Sequence, residues 1–79
     1  MDPNSRPMTF GEKAVGINFN PGGDEKVNEI KTLYARIIDL CNDLPNEGQS
    51  KFGDDLIKTA ISQAVIAQMS AVKAITFIN

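Results

Sequence analysis

The residues best equipped for chemistry lie in one stretch, MTFGEKAVGINFNPGG, residues 8–23. Phe10 offers a flat ring, Asn18 and Asn20 offer amides, and Lys13 offers a positive charge. A small nucleotide asks for such a set: a surface to stack its base, groups to read its edges, and a cation or backbone N–H groups for its phosphate. Short loops often hold the same residue types for other reasons. Phe10 and Phe19 serve equally as packing groups, and the asparagines serve equally as turn residues.

Catalysis finds less support. The chain has no histidine and one cysteine, Cys41. Cys41 falls on the apolar side of a predicted helix with no histidine partner, which suits a small buried hydrophobe. The acidic pairs Asp24/Glu25 and Asp54/Asp55 stand at predicted helix starts, where carboxylates are favoured by the dipole. The glycines match neither GxxxxGK[ST] nor a strand-GxGxxG-helix context. Common zinc sites lack their ligands. No enzyme, cofactor or metal site is expected.

The elements that must position the stretch are plain. Residues 1–7, MDPNSRP, read as a loose lead-in without the apolar core of a signal peptide. The arm spans 8–23. Within it, Val15, Ile17 and Phe19 alternate with Gly16, Asn18 and Asn20 over 14–20, a short strand-like pattern. Gly11 and Gly16 remove bulk where something approaches the backbone, and Pro21-Gly22-Gly23 forms a closing turn.

The spacing of Val27, Ile30, Leu33, Tyr34, Ile37, Cys41 and Leu44 predicts a helix over about 24–44. Pro45 and Gly48 break the pattern. A second helix is predicted over about 53–78, with Gly53 as cap, Phe52 and Ile57 as a hydrophobic staple, and an Asp54–Lys58 pair one turn apart.

That second helix is apolar on two sides. Ile57, Ile61, Ala64, Val65, Val72 and Ile75 form one stripe; Leu56, Ala60, Ala67, Ala71, Ala74 and Ile78 form another. A two-helix hairpin covers one stripe only. At 79 residues the chain buries only about 60% of its unfolded surface. No disulfide can form within it, so oligomerisation is the expected source of extra core. Gln68 falls near the apolar side and needs a partner across an interface. Lys31, Arg36 and Lys73 are the helix cations of interest, Arg36 reading first as part of a solvated face.

The net charge of −2 and pI near 4.9 argue against duplex nucleic acid as a partner. No apolar run reaches the roughly 18 residues of a membrane span. The chain reads as a soluble, cytoplasmic module.

Two blocks carry a family likeness: MTFGEKAVGINFNPGG leading into VNEIKTLYARIIDLCNDL, and AQMSAVKAIT near residue 70. Together they resemble the phage signal sponges of the anti-Thoeris and anti-CBASS hairpin-domain group, most closely the first-described anti-Thoeris proteins. The likeness covers roughly residues 8–77. It implies a mainly α protein, an antiparallel two-helix hairpin with an extended N-terminal arm, assembled as a helical homo-oligomer, commonly a hexamer. It implies binding without cleavage of cyclic ADP-ribose isomers and of cyclic di- and trinucleotides in the cytoplasm of an infected bacterium. By position, Phe10 matches the aromatic that stacks on a base and Asn20 the asparagine that hydrogen-bonds. Lys13 and Asn18 fall within the same block. Arg36 falls near basic residues of a separate, symmetry-related trinucleotide site. Ser70 stands where such proteins often have tryptophan.

Overall fold

The computed structural model describes residues 6–44 and 50–77. Among them are three helices and no strand: α1 (Phe10–Val15), α2 (Glu25–Asn42) and α3 (Lys51–Thr76). The expected break at Pro45 and Gly48, residues 1–5 of the lead-in, and Ile78 lie outside the described residues. No described helix is long and apolar enough to cross a membrane.

The arm departs from its strand-like reading. Residues 10–15 coil into α1 because Thr9 and Glu12 form a capping box: Glu12 N–H donates to Thr9 Oγ1 at 3.1 Å, and Thr9 N–H donates to Glu12 Oε1 at 2.9 Å. Two donors that a short helix leaves open are thereby satisfied together. Gly16 ends α1 in the left-handed region at φ 63°, where its N–H closes on the Lys13 carbonyl at 3.2 Å. The alternation over 14–20 therefore belongs to a last helical turn and a following bend, which explains why it never organises into a ladder.

Asp24 caps α2, accepting from Lys26 N–H at 2.8 Å and Val27 N–H at 3.2 Å. α3 starts earlier than its expected Gly53. Ser50 is the cap and accepts from Gly53 N–H at 3.2 Å. Phe52 consequently sits inside the helix, 70% exposed, so the Phe52–Ile57 staple is not formed. Lys58 and Asp54 do meet, at 2.9 Å.

The core is small. Val15, Ala35 and Ile38 form it, with Ala14, Ile17, Tyr34, Ile61, Ala64 and Val65 packed around them. The first apolar stripe of α3 thus supplies Ile61, Ala64 and Val65, while Leu56, Ala60, Ala67 and Ala74 of the second stripe stay exposed. On α2 the expected stripe divides. Of its residues Val27 is buried, Ile30, Tyr34 and Cys41 are half-buried, and Leu33, Ile37 and Leu44 face outward with Leu40, while Lys31, Ala35 and Ile38, outside that stripe, are buried instead. The Cα atoms fill a slab of 46 × 41 × 12 Å with a radius of gyration of 14.6 Å; a compact chain of this length would have about 12 Å.

Candidate functional site

Two contacts fix α1 on α2. Gly11 lies so close to Ala35 that an added Cβ would stand 2.1 Å from the Ala35 carbonyl oxygen. Gly11 N–H donates to Asp39 Oδ1 at 2.7 Å. The close approach that the glycine permits is therefore made by a neighbouring helix. Further along, buried Lys31 donates to the carbonyls of Gly16, at 2.9 Å, and Phe19. Its ammonium lies 5.6 Å from the Phe19 ring centroid, within cation–π range. Lysine is seldom buried unless its charge has partners, and here the partners are two carbonyls of the bend after α1, of which Gly16 also accepts from Phe19 N–H at 2.9 Å.

The bend leads into the turn 20–24, which Asn20 holds shut. Its Nδ2 donates to the Asp24 carbonyl at 2.9 Å, and its Oδ1 accepts from Asp24 N–H at 3.2 Å. One N–H and one lone pair of this amide are left for other work. Gly23 takes φ 63° and donates to the Asn20 carbonyl at 2.9 Å.

Between this turn and the end of α3 opens a cavity of about 520 Å³. The turn lines it with Phe19, Asn20, Pro21, Gly22 and Asp24, α2 with Val27 and Lys31, and α3 with Val72, Ile75 and Thr76. A second opening of about 390 Å³ shares Phe19, Lys31, Val72 and Thr76 and runs on to Gln68 and Lys73. The two are neighbouring parts of one groove, within the size range of small-molecule sites. Gln68 is 4% exposed and its Oε1 has no hydrogen-bond partner. A buried acceptor left open costs roughly 1–3 kcal/mol, so Gln68 borders the groove with an oxygen that the described residues do not satisfy. Lys73 stands exposed at the same end, 6.0 Å from the Phe77 ring centroid.

The residues singled out from sequence are spread over several surfaces. Asn20 lines the larger cavity. Lys13 and Asn18 share a separate hollow of about 280 Å³ with Met8 and Phe19, and Asn18 Nδ2 lies 3.6 Å from Met8 Sδ. Arg36 is exposed beside Thr32 and Asp39 in another hollow. Phe10, half exposed at the start of α1, lines none of these. One chain therefore brings Lys13 to Asn18, and leaves Phe10, Asn20 and Arg36 apart.

Phe19, Lys31 and Gln68 are the groove residues that sequence reasoning placed elsewhere or left open. Phe19 adjoins the Pro21-Gly22-Gly23 turn, a signal that its ring stands at a rim rather than in a strand. Cys41 is free and half-buried.

The carboxylates around the arm already have partners. Glu12 takes Arg6 in a two-point contact at 2.7 Å for each oxygen. That guanidinium and the Thr9 N–H hold the Glu12 carboxyl down at about 2. Asp39 accepts from Gly11, and Asp24 caps α2. Among the described residues no three His, Cys, Asp or Glu side chains gather as a metal site. The arrangement is suited to holding a flat polar ligand: an aromatic face, an open amide, a cation and an apolar wall. Compared with known proteins, the chain matches no family model, no curated protein and no solved structure.

Proposed function

We propose that the protein is a sponge: it binds cyclic nucleotide messengers of bacterial anti-phage defence and sequesters them without cleavage. The observation that carries this reading is the groove between the 19–24 turn and α3, bordered by Gln68 with its unpaired, buried oxygen. The resemblance of residues 8–23 and 67–76 to anti-Thoeris and anti-CBASS sponges names the ligands, cyclic ADP-ribose isomers and cyclic di- and trinucleotides. The working form in this reading is an antiparallel helical hairpin assembled as a homo-oligomer, a hexamer by that resemblance, in the cytoplasm of the infected host.

Assembly matters to the reading because Phe10 and Asn20, which the resemblance assigns to one pocket, stand apart within one chain. Composite pockets between copies supply the missing proximity. Sequestration works by mass action, so the dissociation constant must lie below the messenger concentration that triggers the effector.

The test is incubation with a panel of these messengers, removal of free ligand, and release by heat. Intact messenger should return. Release of cleaved products, or no retention of any panel member, contradicts the proposal. Phe10→Ala and Asn20→Ala should each abolish retention while leaving the assembly mass unchanged. A second reading, a small structural helical oligomer that docks on another protein, draws on the exposed stripes of α2 and α3. Capture of one defined host protein in place of nucleotide would favour it.

A further inference from the structure

One face of α2 carries a row that α1 and α3 leave open. Leu33, Ile37 and Leu40, continued by Leu44 just past the Asp43 cap, recur four, three and four residues apart and are all exposed. That period is the 3.5-residue repeat of a coiled-coil seam, which is covered best by a helix of the same repeat. Arg36 and Asp43 flank the row on one side and are exposed; Tyr34 and Cys41 flank it on the other and are half-buried.

We propose that α2 pairs with α2 of a second copy, antiparallel about a two-fold axis between Ile37 and Leu40. This deepens, and rests on, the self-association in the function proposed above. The register sets Leu33 against the partner's Leu44 and Ile37 against the partner's Leu40, and symmetry repeats both pairs. All four exposed side chains are then covered. Arg36 falls beside the partner's Asp43, again twice. The next register toward the helix start instead brings Arg36 against the partner's Arg36 and Glu29 against the partner's Asp43. Like charges oppose that alternative, so charge selects a pairing that the apolar row alone leaves ambiguous. The seam is short against the ~1,200 Å² at the low end of stable interfaces, so this contact by itself is concentration-dependent.

The experiment is the mass of the full chain by sedimentation at rising concentration, for the parent and for variants. Leu40→Glu should remove the contact and lower the assembly mass. Its helix content should stay unchanged by circular dichroism, because Leu40 is 67% exposed. Arg36→Asp or Asp43→Arg alone should weaken association about tenfold, and the combined swap should restore it. Association that is indifferent to Leu40→Glu, or single reversals that the swap does not rescue, overturns this pairing. Where such a protein still retains cyclic nucleotide, the proposed function survives that result. A parent chain that stays single at every concentration and retains no nucleotide overturns both.

Discussion

The two faces of α2 differ in what covers them. The covered face holds Val27, Lys31, Ala35 and Ile38; the open face holds Leu33, Ile37, Leu40 and Leu44. Ala35 lies inside where α1 comes close enough to need a small residue: Gly11 meets the Ala35 carbonyl with no room for a Cβ. Large groups outside carry most of the helix's burial potential, and one chain does not use it. The covered face is specialised for placing the arm, and the open face for meeting something else. A fold with a core of Val15, Ala35 and Ile38 gains more from covering that second face than from any repacking of the first.

The contrast is broken most sharply at Gly11. A valine there would collide with the Ala35 carbonyl, so α1 must leave α2. The expected loss exceeds about 3 kcal/mol, with α1 becoming protease-sensitive. Next comes a pair on one helix. Ile38→Ala should cost about 3 kcal/mol in urea unfolding, since Ile38 is fully buried. Leu40→Ala should cost under about 0.5 kcal/mol when measured dilute but should weaken assembly. Equal costs for the two would erase the distinction between the faces.

Lys31→Met keeps the hydrocarbon stem and removes the donor. The Gly16 and Phe19 carbonyls then lose the ammonium, Gly16 keeping the Phe19 N–H, and the chain should lose about 2 kcal/mol. Hydrogen exchange should rise over 16–23 and remain unchanged in the middle of α3.

The smallest effect is expected at Glu12. Its carboxyl is held below its unfolded value of 4.5, at about 2, by Arg6 and Thr9 N–H. Its stabilising contribution is therefore complete above pH 4.5 and lost as pH falls toward 2. Fraying of α1 should follow that window, and Glu12→Gln should remove the pH dependence there.

The sequence made the two long helices legible because their apolar spacing runs for many turns, and their observed ends fall within two or three residues of the expected ones. It also marked the surplus stripe of α3 and the misplaced polarity of Gln68. The arm was less legible. Its Thr9-x-x-Glu12 box is a helix-start signal, but six residues give periodicity too little length to compete with the alternation at 15, 17 and 19. The buried face of α2 was hidden for another reason. Lysine and alanine at 31 and 35 look like surface residues until a glycine-bearing helix lies across them. Of the groove lining, Asn20 was named from the sequence by its type and by the resemblance. Phe19 and the groove beside it depend on a bend held by the Phe19 N–H to Gly16 carbonyl bond and by Lys31, contacts that no spacing in the sequence announces.

Native mass spectrometry of the chain, with and without a cyclic nucleotide panel, tests the central claim most directly because one spectrum reads copy number and ligand together. The account predicts an assembly of several copies whose mass rises by whole, uncleaved messengers. A single chain with no added mass, or an assembly carrying only hydrolysed nucleotide, would contradict it.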